Sequence, residues 1–354
     1  MSKILLDLVI AAALFANLNG GQAKTDHQYP KIDTTKIPEW QATASAYGGK
    51  LLLSDSPETV TDDGILYQDN VTGSGRVFFH HVNGSKVTKK FAVVLENRGI
   101  STAYVTVNNH GLGGPGLDYL AVGKNAQRDY MKGQEAYLIE IPPKGAVSLF
   151  GKDITVQPDM LVSGIYDFKA DQNVTLKVVM APRAADTINF AGQANVLPPD
   201  VYRLRGTFDA SDLMVVPTKV YNAETDGTVA ITLADNVIDK YLTGIDATNG
   251  TQVINYGNYG VVYNIFMPTE GNKKLDYYLN PWGGSYAGAM GVKYKQNQLS
   301  PVNTPDGKLS IGENTLQSLA FLGSYQSGES LWFTFSPPGS SNLPVRLLVN
   351  PQDK

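Results

Sequence analysis

Apolar and polar positions alternate along most of this chain in short runs bounded by glycine, asparagine and proline, without a sustained helical rhythm. The runs at residues 75–82 (GRVFFHHV), 90–96 (KFAVVLE), 103–108 (AYVTVN), 136–141 (AYLIEI), 165–168 and 174–180 (VTLKVVM) have the length and β-branched content of strands. Asn-Gly and Arg-Gly turns separate them, which is the grammar of a sandwich or barrel. Residues 125–131, 235–242 and 313–320 are the only stretches whose pattern suits a short helix. The predicted class is therefore all-β.

Two breaks divide the pattern. Residues 24–44 form a polar lead-in containing Pro30 and Pro38, and residues 183–200 lie in a proline-rich stretch with little strand character. The expected organisation is two tandem β-sandwich domains of Ig-like or jelly-roll-like type, at residues 45–182 and 201–354, joined by a linker at 183–200. The halves look related. Residues 91–107, followed by Asn108-Asn109-His110-Gly111, parallel residues 259–279, followed by Asn280-Pro281-Trp282-Gly283-Gly284. VTLKVVMAP near the end of the first half parallels PVRLLVNP near the end of the second, and KLLLSD and RGTFDASD open them. An internal duplication explains all three correspondences with one assumption.

The opening residues carry a different signal. Lys3 precedes a mostly apolar stretch over residues 4–18, and Gly21-Gln22-Ala23 places small residues where a signal peptidase reads them. Residues 1–23 are thus expected to be a cleaved signal peptide, the apolar stretch being short for a membrane span. No transmembrane segment is expected after cleavage. Cysteine is absent, which excludes disulfides and thiolate metal sites and leans towards a bacterial envelope.

Composition narrows the partners. With 42% hydrophobic and 18% charged residues the chain is globular, not disordered. A net charge of −4 with no basic stripe argues against nucleic acid, whose phosphates require cationic neutralisation.

Candidate chemistry is sparse. Gly111-Leu112-Gly113-Gly114-Pro115-Gly116 has dinucleotide-fingerprint spacing, but Pro115 interrupts it and LDYLAVGKN behind it lacks a convincing helical pattern. An irregular glycine loop is expected there instead. His80 and His81 are adjacent on a strand and should face opposite sides of the sheet. His80, His110 and Asp118 are the candidate metal or acid–base set if their strands neighbour one another. Calcium is a further candidate at the acidic turns Asp62-Asp63-Gly64, Asp209 with Asp212, and Glu224 with Asp226-Gly227. No G-x-S-x-G elbow, H-E-x-x-H motif or P-loop occurs. The ligand-binding loops are expected at His110, Asp118 and Tyr119, and at Asn280, Trp282 and Tyr286. Trp282 is the best candidate to stack on a sugar ring.

The segments SDSPETVTDDGILYQD, RVFFHHV, HGLGGPGLDYLAVG and PPGSSNLPVRLL resemble secreted Gram-positive envelope proteins often labelled by a copper amine oxidase N-terminal-like (stalk) domain. The resemblance implies an envelope location and no established activity. An oxidase would need an Asn-Tyr-Asp or Asn-Tyr-Glu cofactor site, and the Asn-Tyr pairs at Asn255 and Asn258 are followed by glycine. The expected function is that of a non-enzymatic, secreted or envelope-associated protein that binds wall polysaccharide, or assembles with itself or another surface protein. The alternative is an extracellular glycan-acting hydrolase with a carboxylate pair no more than ~10 Å apart.

Overall fold

The computed structural model describes residues 29–352. The chain divides into a unit ending at Ile32 and a unit that starts at Asp33. Of the first, residues 29–32 are described and carry no regular secondary structure. The expected signal peptide at 1–23 lies outside the described residues. Everything below concerns the unit from Asp33.

That unit is all-β, as the alternation predicts. Its spine is an antiparallel pair of two long strands, Gly64–Asn83 and Leu161–Pro182, distant in the chain. The pairing shifts register between Ala170 and Val174, and the two arms take different neighbours. Residues 175–182 pair with Lys89–Glu96, whereas residues 161–170 pair with Ala103–Gly116. A bulge of this kind bends the strand and raises its twist. Side chains of both arms then enclose one core, in which Phe79, Val77, Tyr166 and Phe168 meet Phe91, Leu176, Val178 and Met180.

The expected boundary at 183–200 is crossed twice by strand pairing. Arg205–Phe208 pairs with Lys50–Ser54 and extends the first sheet through Thr243–Asp246 to Thr251–Ile254. Ala42–Tyr47, part of it inside the expected lead-in, pairs with Asp212–Pro217. The stretch 183–200 itself holds a helix, Thr187–Gln193, capped by Asp186, and Leu197 and Asn195 hydrogen-bond to Ile65. A second core draws on both halves: Leu51, Leu53, Phe78 and Ile165 pack with Tyr263, Phe335, Met290 and Leu347.

The topology does not confirm the expected duplication. Lys89–Glu96 and Ala103–Gly116 both lie against Leu161–Pro182, but Val262–Phe266 and Lys274–Pro281 sit in different sheets. Shared strand–turn–strand grammar explains the sequence likeness without a shared arrangement.

The glycine-rich segment also differs from expectation. Residues through Gly116 continue the strand, and Tyr119–Lys132 is a helix capped by Asp118. A Cβ at Gly111 would overlap the Ala126 carbonyl, and one at Gly113 would overlap that of Val122. These glycines let a helix lie directly on a strand; their spacing serves packing, not a pyrophosphate.

Candidate functional site

The residues singled out from sequence are mostly braced by the protein itself. His110 is stacked on Tyr166 at 5.1 Å between ring centroids, and meets Tyr137 edge-on at 5.7 Å. His80 instead places Nδ1 3.0 Å from Ser163 Oγ and Nε2 3.2 Å from Ser340 Oγ. In the strand register His80 lies opposite Ser163 and His110 opposite Tyr166. Those positions are three apart along the strand, so the two imidazoles occupy opposite faces of the sheet. Asp118 spends its carboxylate on the Ala121 amide at 3.1 Å. The expected set of His80, His110 and Asp118 is therefore not assembled, and among the described residues no group of three or more His, Asp or Glu converges on a metal position. The acidic turns are also engaged: Asp63 pairs with Lys89 at 2.7 Å, Asp212 with Arg76 at 3.2 Å and Asp226 with Lys219 at 3.3 Å.

The second expected loop is similarly committed. Asn280 is buried and donates to the carbonyls of Leu316 and Ser318 at 2.7 and 2.8 Å. Its Oδ1 accepts from Trp282 Nε1 at 2.6 Å, and the Arg346 guanidinium covers the Trp282 ring at 4.6 Å. Tyr286 is fully buried. Tyr119 donates to the Asp159 carbonyl at 2.7 Å. Trp282 is thus half-buried and already stacked, and Tyr286 is a core residue.

His80 and His81 do face opposite ways. The Pro57 carbonyl, 2.9 Å from His81 Nδ1, can only accept, so that nitrogen carries the proton. Nε2 then accepts from Ser54 Oγ at 2.8 Å. Burial is the main cause that drives His80 down to about 3 and His81 to about 4. Both rings are neutral.

Buried charge is concentrated at Arg76. Its guanidinium bonds Asp167 through Nε at 2.5 Å and Nη2 at 3.2 Å, Asp212 at 3.2 Å and Tyr130 Oη at 3.0 Å, and also donates to the Ser211 carbonyl. Tyr130 donates to Asp167 at 2.6 Å. The cluster ties the long strand pair, the helix Tyr119–Lys132 and the strand Asp212–Pro217 together. With every donor directed at an acceptor inside the protein, it has nothing left for a ligand.

A different situation exists at the corner made by residues 54–58. Asp55 is partly exposed as a residue, but its Oδ1 is buried and has no hydrogen-bond partner. Burial, followed by the charges of Glu58 and Asp200, holds its carboxyl well above the usual range. Burial and the Asp200 charge likewise raise Glu58. Asp200 is fixed in place: its carboxylate accepts from Ser56 Oγ at 2.9 Å, the Glu58 amide at 3.0 Å, and the Tyr202 and Arg203 amides at 3.0 and 3.1 Å.

Tyrosines complete the corner. Tyr259 lies within electrostatic reach of Asp55, Glu58 and Tyr241, and donates to the Ser341 carbonyl at 2.8 Å. Tyr241 and Tyr256 meet edge-on at 6.1 Å between centroids, and Tyr256 is 53% exposed. Asn258 fixes this loop, accepting from the Leu242 amide at 2.8 Å and donating to Tyr263 Oη at 2.7 Å. The chemistry on offer is a carboxyl that burial and like charge hold towards its protonated form, beside the raised Glu58 carboxyl and an exposed aromatic face. Sequence reasoning met Tyr256 and Tyr259 only as members of the two Asn-Tyr pairs and passed over Asp55, Glu58 and Asp200 as a site. The acidic residues flanking Pro57 in SDSPE were the available signal.

No family model matches the chain, and no curated protein matches it. Among solved structures, the 11S allergen of Cocos nucifera is 10% identical, covering 84% of this chain and 90% of its own, with a TM-score of 0.14. Vicilin of Solanum lycopersicum (tomato) is 9% identical, covering 84% of each chain, also with a TM-score of 0.14. Similarity at that level carries no weight for fold or function. No helix among the described residues is long and apolar enough to cross a membrane.

Proposed function

We propose that this is an exported bacterial envelope protein that binds a wall glycan, without cleaving it, at the corner of Asp55, Glu58, Tyr241, Tyr256 and Tyr259. The signal-peptide pattern and the resemblance to secreted Gram-positive envelope proteins support the compartment. One observation carries the binding site: the unpartnered carboxyl oxygen of Asp55 is linked through Tyr259, within electrostatic reach of both Asp55 and Tyr241, to the exposed Tyr256 that packs on Tyr241. A neutral carboxyl suits sugar hydroxyls, which both donate and accept, and a tyrosine ring suits the apolar face of a pyranose. The test is a binding screen of the purified chain against wall fractions and soluble glycans, with Tyr256→Ala and Trp282→Ala alongside. Saturable binding that Tyr256→Ala abolishes and Trp282→Ala retains is expected. Binding that survives Tyr256→Ala, or no binding to any fraction, would overturn the assignment.

A second reading has its own observation. Asp55 held protonated beside other carboxyl groups is the pairing a glycan hydrolase uses for its acid and its base or nucleophile. Release of reducing ends by the wild type, lost in Asp55→Asn, would favour cleavage over binding alone.

A further inference from the structure

We infer that the chain has a separate binding site for an oxyanion-bearing sugar or polyol polymer, in the groove lined by Lys86, Thr88, Lys89, Gln157 and Arg183. The groove is open, encloses about 620 Å³ and lies where Lys89–Glu96 begins and Leu161–Pro182 ends. This inference goes beyond the tyrosine corner and does not depend on it.

The charges in the groove are of two kinds. Lys89 is buried and committed, its Nζ 2.7 Å from Asp63 Oδ1 and 3.3 Å from the Thr61 carbonyl. Lys86 and Arg183 are exposed and, among the described residues, have no ion-pair or hydrogen-bond partner. Because Lys89 neutralises Asp63, the free charge of the groove is that of Lys86 and Arg183. This is the reverse of the sign of the chain, which carries −4 overall. Thr88 Oγ1 donates to Gln157 Oε1 at 2.7 Å, which occupies the amide oxygen and leaves its N–H₂ group available. Two cations and a neutral donor therefore line one depression. A guanidinium fork and an ammonium match phosphate or carboxylate oxygens. The volume is in the range that takes a ligand of a few rings, and because the groove is open a repeat unit of a longer chain fits in it with its neighbours in solvent.

Phosphate and carboxylate share this chemistry, and titration distinguishes them. The purified chain is titrated with poly(glycerol phosphate), polygalacturonate and a DNA oligomer of matched charge, at low and at high salt. The inference predicts saturable binding to at least one of the first two that exceeds binding to DNA and weakens with salt. The double variant Lys86→Glu/Arg183→Glu should lose about tenfold or more in affinity, two charge-assisted contacts being removed. Both side chains are exposed, so its thermal melt should match the wild type. Tyr256→Ala should bind the anionic polymers normally, which separates failure of the groove from failure of the corner. Unchanged binding in the double variant, equal binding to DNA, or no binding to either anionic polymer would overturn the assignment.

Discussion

Arg76 and Asp55 are both ionisable groups withdrawn from water, and the protein treats them in opposite ways. Arg76 stays charged because two aspartates, a tyrosine and backbone carbonyls surround it. Asp55 has no counter-charge within hydrogen-bond reach, and its nearest charged neighbours have its own sign. A buried charge that is fully partnered belongs to the architecture. A buried acid that is unpartnered raises the free energy of the folded state, and such groups concentrate where a protein does something other than fold.

The largest effect should come from breaking the partnered side. Arg76→Met leaves Asp167 and Asp212 uncompensated across three elements, at a cost of about 3–5 kcal/mol, measurable by urea unfolding. A loss below about 1 kcal/mol would show that the cluster is not the clamp its geometry implies. Next is the packing of the helix against its strand. Gly113→Ala must push the helix off the Val122 carbonyl, and about 1–3 kcal/mol of stability should be lost, read in the same unfolding experiment.

The pH dependence sharpens the contrast, because the two kinds of buried group act with opposite sign. His80 and His81 have folded values near 3 and 4, below the unfolded value of 6.5. The unfolded state therefore binds more protons between those limits, and each histidine removes up to about 1.4 kcal/mol of stability per pH unit as pH falls below 6.5. Melting temperatures of His80→Gln should fall less steeply over that window than those of the wild type. Asp55 is raised, so here the folded state binds the extra proton. Its penalty is absent below the unfolded carboxyl value and grows as pH rises towards the folded one. Asp55→Asn should then melt higher than the wild type at neutral pH, with the difference vanishing in acid. A variant that melts lower at neutral pH would contradict an unpartnered, protonated Asp55.

The smallest effect on stability is expected at Tyr256. Its exposure predicts a change within about 0.5 kcal/mol for Tyr256→Ala, while glycan binding is lost. That separation of stability from binding is what distinguishes the corner from the Arg76 cluster.

The all-β class and the opposed faces of His80 and His81 were legible in the sequence because strand period is a local property. Of the helix Tyr119–Lys132 only the part at 125–131 was legible, where Ala126, Tyr130 and Met131 face the core; its start buries the mixed set Val122, Gly123 and Lys124 directly behind a glycine-rich strand. Lys124 is accommodated there by the carbonyls of Pro305, Lys308 and Leu309, partners that no local pattern reveals. Trp282 reads in the sequence as a ring free to stack on a sugar, but Arg346 lies on it. The corner brings residues 55–58, 200, 241 and 256–259 together from distant parts of the chain, and sequence spacing contains no trace of that meeting.

The most direct test is a carbon-detected NMR titration of the Asp55 carboxyl in the folded protein, with Asp55→Asn to assign the signal. The account predicts that the Asp55 resonance stays at its protonated position well above the ordinary carboxylate range. A carboxyl that titrates near the ordinary value of about 3.9 would contradict it, and with it the basis for the corner as a binding site.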